Sequence, residues 1–170
     1  MHSQFTMFAN YNCWANDKLY EAAAILSEKE YNRNVGVFFH SMKGTLNHML
    51  VADRIWMHRF TGEGEHPNQL DAILYEELRE LAVARKSEDR RIVRYIEDLQ
   101  ANDLVANLNY TTITSPATMS QHLSSALSHF FNHQTHHRGQ AHAVLSLLQR
   151  DPPPLDLLFF LRSEQGKQFS

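Results

Sequence analysis

The sequence predicts an all-α fold, a four-helix bundle with a crossover connection between the third and fourth helices. Three observations predict it. Four long stretches place apolar residues at three- and four-residue steps, the period of an amphipathic helix. Helix-stopping residues bound them, Gly62 and Gly64 after the second and Pro152-Pro153-Pro154 after the fourth. Between Asn102 and Ser120 the pattern changes to the alternating, β-branched run Leu108-Asn109-Tyr110-Thr111-Thr112-Ile113.

The first helix is expected over about Phe5–Leu26, on a stripe of Phe8, Tyr11, Ala15, Leu19, Ala22 and Leu26. Ser27-Glu28-Lys29-Glu30 can cap it or start a short extra turn. The second is expected over Phe39–Phe60, opened by Ser41. Its apolar residues, from Leu46 to Phe60, cover nearly the whole circumference, as in a helix buried in the middle of a bundle. The third is expected over Leu70–Leu99, its stripe running from Ile73 to Leu99. Glu76, Glu77, Arg79, Glu80, Arg85, Lys86 and Arg94 read as a solvated charged face, with a kink or fraying at Ser87–Arg90. A small hairpin or irregular crossover follows, with a turn at Ser115-Pro116. The fourth helix is expected over Ser120–Leu148, and Leu155–Arg162 forms a last short apolar helix.

A chain of 170 residues is read as one domain, 1–170, with 43% hydrophobic and 21% charged residues. Sixteen basic against nineteen acidic side chains leave a net charge of −3, so no basic excess favours nucleic acid. No stretch reads as a signal peptide or a membrane span, and a cytoplasmic protein is expected. The single cysteine, Cys13, lies beside Trp14 in an apolar pattern and reads as core rather than nucleophile.

Chemistry concentrates on the fourth helix. Of eleven histidines, six fall between His122 and His142. At 100° per residue, His129 and His137 flank His133 at about 40° on either side. His122 and Gln140 share the same stripe, which borders the buried side; His136 lies at its edge and His142 opposite. Burying several imidazoles is costly unless each finds a partner, and a metal ion serves several at once. The spacing of His133 and His137 suits two ligands of one ion. A third must come from another helix, and His48, among Ser41, Thr45, Ala52 and Ile55, is the best buried candidate. Three histidines leave coordination positions open for water or substrate. The competing reading is a hydrogen-bonded polar core that holds no ion.

Four runs carry a resemblance. Tyr11-Asn12-Cys13-Trp14-Ala15-Asn16 resembles the opening motif of the DinB family (DinB/YfiT-like proteins, unrelated to the DNA polymerase of that name). Ser41-Met42-Lys43-Gly44-Thr45-Leu46-Asn47-His48, with Asp53 and Trp56, is similar to its second-helix motif. Asn132-His133-Gln134-Thr135-His136-His137-Arg138-Gly139-Gln140 resembles its Asn-His-x-x-x-His-Arg-Gly-Gln signature, and Pro154 to Arg162 is also similar to its close. The resemblance implies a four-helix bundle, often a homodimer, with metal ligands His48, His133 and His137. It makes His129 a residue that supports the ligands from behind or lines the pocket, and Gln140 a polar contact. It leaves the divalent ion open among zinc, nickel, iron and manganese.

Relatives in the wider superfamily include transferases and isomerases that use low-molecular-weight thiols. The implied function is a metal-dependent enzyme, an S-transferase or hydrolase acting on a small electrophilic substrate with such a thiol as cosubstrate. No residue stands out as a catalytic general base. Asp53 lies on the His48 helix about 140° around from it and reads equally as a buried structural partner. The alternative is a non-catalytic metal-binding stress-response protein of the damage-inducible type.

Overall fold

The computed structural model describes residues 1–113 and 117–170. Its helices are α1 (His2–Ala23), α2 (Glu28–Asn32), α3 (Met42–Thr61), α4 (Leu78–Asp98), α5 (Leu123–Leu147) and α6 (Leu157–Leu161). Strands β1 (Asn107–Thr111) and β2 (Thr118–His122) pair antiparallel between α4 and α5, from Asn107 opposite His122 to Thr111 opposite Thr118. This is the small hairpin expected there; the expected Ser115-Pro116 turn lies outside the described residues.

The bundle consists of α1, α3, α4 and α5. Helix α1 packs on α4 and α5, and α3 packs on the same two. Helices α4 and α5 therefore stand diagonally opposite, and the hairpin segment carries the chain across. Every residue from Thr45 to Met57 of α3 is buried, as its all-round apolar pattern predicts. The Ser41 hydroxyl accepts from the Gly44 N–H at 3.1 Å and starts α3; Gly62, at φ 73°, ends it in the left-handed conformation. The extra turn after α1 is α2, closed by a capping box in which Ser27 and Glu30 each bond the other's backbone N–H.

Two expectations about the third helix are corrected. It starts at Leu78, not Leu70, and runs unbroken through Ser87–Arg90. Residues 70–77 form an irregular strap, because the Asn47 side chain takes up their backbone groups. Asn47 Oδ1 accepts from the N–H groups of Leu74 (2.9 Å) and Tyr75 (3.0 Å), and its Nδ2 donates to the Tyr75 carbonyl at 3.0 Å. Nor is Arg85 solvated. It is 1% exposed, 2.7 Å from Asp53 and 3.0 Å from Asp89.

That ion pair belongs to a polar layer with members on all four bundle helices. Asn12 and Asn16 of α1 donate to Asp89, Gln134 of α5 donates to Asp53, and Arg138 of α5 donates to Asn12. All seven side chains are buried. On one side of the layer lies an apolar cluster with Leu19, Leu50, Ala84 and Ala141; on the other lies one with Ala9, Met57, Ile92 and Phe130. Charges buried this deeply persist only when paired and hydrogen-bonded. The α6 turn closes the outside of α1, where Phe160 packs on Tyr11 and Trp14. Cys13 is half-buried, and burial, with Asp89 and Asp17 nearby, pushes its thiol up to about 11.

Candidate metal centre

Level with the polar layer, the neighbouring helices α3 and α5 bring three imidazoles together. His48 comes from α3, and His133 and His137, one turn apart, come from α5. The Nε2 atoms of His48 and His137 are 3.2 Å apart, and those of His137 and His133 are 3.0 Å apart. His48 and His137 are buried and His133 half-buried.

The outer nitrogens determine what the inner ones can do. His48 Nδ1 is 2.7 Å from the Leu70 carbonyl, and His137 Nδ1 is 2.8 Å from Gln140 Oε1. Both oxygens are acceptors only, so both Nδ1 atoms carry the hydrogen. The two neutral rings are left with bare Nε2 lone pairs facing each other across 3.2 Å. Two acceptors that close repel unless a cation lies between them. An ion 2.0–2.1 Å from each of two nitrogens separates them by about 2.9 Å at a right angle and about 3.3 Å at the tetrahedral angle. The observed spacings fall in that range. The cluster could hold a metal ion.

The surroundings keep the rings uncharged. Burial lowers the pKa of His48. Burial and the neighbouring imidazoles push His133 down to about 3 and His137 down to about 4. Neutral imidazole is the form that binds metal. Phe39 covers one side of the cluster, stacked on His48 at 3.8 Å between ring centroids and edge-on to His137. The loop before α3 aims it there by turning at Gly36 (φ 84°) and His40 (φ 67°). The backbone of Phe39 also presses on α3, where a Cβ at Gly44 would collide with the Phe39 carbonyl oxygen.

The other histidines are dispersed. His129 lies outside the Nε2 cluster, its ring 5.8 Å from that of His133 and 5.1 Å from Trp56, on a cleft that also reaches His48 and His133. His122 does not continue the α5 stripe; it ends β2, exposed, because the helix begins only at Leu123. Gln140 touches His137 and, through Nε2, His136 at 3.1 Å. Periodicity misses the Leu70 carbonyl, a backbone group without a side-chain signature. It also misses Phe39, whose only signal is an aromatic residue two places before the Ser41 cap.

A model of the DinB family matches residues 1–168. The chain belongs to the DinB family. It is 28% identical over 166 residues to "Protein DinB" of Bacillus subtilis (strain 168), covering 92% of this chain and 94% of that one. It also superposes on the crystal structure of a DinB-like protein from Bacillus cereus ATCC 10987 with a TM-score of 0.61. That match, at 17% identity, covers 82% of this chain and 89% of that one, and shows the shared DinB-like fold. Among the described residues no helix is long and apolar enough to cross a membrane.

Proposed function

We propose that this DinB-family chain is a metalloenzyme in which His48, His133 and His137 hold one divalent ion. The observation that carries this is the pair of bare Nε2 lone pairs of His48 and His137, turned toward each other by the acceptors at their Nδ1 atoms. Zinc or nickel suits three imidazoles best, with iron or manganese also compatible. A bound ion would lower the pKa of a thiol or water so that it attacks a small electrophile at neutral pH.

The chain's own residues hold the site in shape. Leu70 and Gln140 fix the tautomers of His48 and His137, and Phe39 excludes water from one face. The cleft of about 320 Å³ beside His48 and His133 leaves the other side open to a small molecule. This openness favours an S-transferase using a low-molecular-weight thiol, or a hydrolase, over a non-catalytic stress-response protein with a closed structural metal. Asp53 has no part in the chemistry, because Arg85 and Gln134 engage it inside the polar layer. The same reading has a single domain, in the cytoplasm, working as a homodimer.

Elemental analysis of the purified protein beside His48→Ala and His137→Ala tests the metal. About one ion per chain, lost in both variants, is the expected result. No metal in the wild type, even after reconstitution with zinc and nickel, would leave the cluster as polar packing.

A further inference from the structure

The cleft beside the three histidines carries a cation, Arg59, that faces no carboxylate among the described residues. Arg59, on the last turn of α3, lines it together with Trp56, Tyr110 and His129. Its guanidinium carbon lies 4.5 Å from the Trp56 ring centre and 4.6 Å from that of Tyr110, so two aromatic rings hold it in place. One nitrogen, Nη2, donates to the Thr111 carbonyl at 3.2 Å; Nε is buried without a hydrogen-bond partner among the described residues. Arg54, Arg85, Arg91 and Arg150 each face a carboxylate. Among the described residues Arg59 faces none, and no Asp or Glu lines the cleft. A half-buried guanidinium held this way loses hydration that no carboxylate among the described residues replaces with negative charge.

The cleft has a direction. Arg59 touches Trp56, Trp56 lies 5.1 Å from His129, and His129 lies 5.8 Å from His133, each between ring centres. Arg59 and the histidine cluster therefore mark its two ends, and Ala52, Ile55 and Leu70 add apolar wall. At about 320 Å³ it is at the small end of ligand pockets. We infer that this cleft binds a small molecule with a flat apolar body and an anionic group, which pairs with Arg59 while the other end of the molecule faces His48 and His133. Only the part about that other end rests on the metal reading; the anion site rests on Arg59 alone. Guanidinium is suited to carboxylate, phosphate and sulfonate alike through paired N–H donors.

Calorimetric titration of the zinc-reconstituted protein tests this with three probes: 3-mercaptobenzoate, its uncharged counterpart 3-mercaptobenzamide, and benzoate. The carboxylate thiol should bind at least tenfold tighter than the amide, and added NaCl should weaken only the two carboxylates. Arg59→Gln should abolish the difference without changing zinc content, and Arg59→Lys should keep part of it. Should Arg59→Gln fail to fold by circular dichroism, the wild-type comparison and the Arg59→Lys variant carry the test. Equal affinity for thiol acid and amide in the wild type would overturn the inference. So would a carboxylate preference that survives Arg59→Gln, which would place the carboxylate on the metal. Repeating the benzoate titration on chelator-treated protein separates the two readings. An Arg59-dependent preference in a chain that never takes up metal supports the anion site and sinks the metal centre.

Discussion

Asn47 holds Tyr75 by both of its backbone polar groups, accepting from its N–H and donating to its carbonyl, each at 3.0 Å. The clasp fixes the strap whose earlier residue, Leu70, supplies the carbonyl acceptor of His48. Asn47, about 100° around α3 from His48, therefore acts on the histidine cluster through the strap.

Asn47→Ala should weaken metal binding roughly 10- to 100-fold, the usual effect of removing support behind a metal-ligating histidine. Gln140→Ala should do the same through His137. Competition against a chromophoric chelator measures both. Wild-type affinity in both variants would mean that the rings keep their orientation without these partners.

In chelator-treated protein, stability should rise with pH across the histidine range. His133 and His137 titrate near 3 and 4 in the folded chain, against an ordinary value of 6.5 in the unfolded one. Between these values the unfolded chain binds protons that the folded chain does not. The stability is fully present above about 6.5 and falls as the pH drops toward 4. Urea melts at pH 4.5, 5.5 and 7 check the slope, and His133→Ala should flatten it.

Asp53→Ala should cost about 3–5 kcal/mol, because it leaves Arg85 buried with half its charge compensation gone. The double variant Asp53→Leu/Arg85→Met should cost less than the sum of the two single variants, since the Asp53–Arg85 pair is lost only once, although Asp89 then loses its ion-pair partner as well. Chemical denaturation gives both values. A double variant as unstable as the sum of its parts would show that the pair contributes more than mutual compensation.

Gly44→Ala should destabilise the fold by about 1–3 kcal/mol through overpacking against the Phe39 backbone. Phe39 stacks on His48, so metal affinity should fall as well. If stability drops while affinity holds, the stacking does not position the ring.

Much of this was legible from residue spacing. The four bundle helices follow from apolar periodicity, and the extra turn at Ser27 and the Ser41 and Gly62 caps follow from capping chemistry. The structure brings together His48, His133 and His137, the three histidines singled out by helix geometry and burial. Arg85 was misread because a hydropathy pattern cannot tell a charge facing water from one facing Asp53 across the bundle. Asn12 and Asn16 were hidden in the same way: polar residues outside the apolar stripe of α1, yet buried against Asp89. The start of α4 was misplaced because Asn47, more than twenty residues earlier, competes for the backbone of 74–75.

The polar layer has a consequence for how the histidines meet. On α5, Gln134 and Arg138 directly follow His133 and His137; on α3, Asp53 lies five residues beyond His48. A slide of one helical turn, about 5.4 Å, between these helices would pull Gln134 away from Asp53 and leave a buried amide without its hydrogen-bond partner. The layer thus acts as an index mark between α3 and α5. It sets the imidazole separation without help from an ion, so that on the proposed reading an incoming metal would meet ligands already in register.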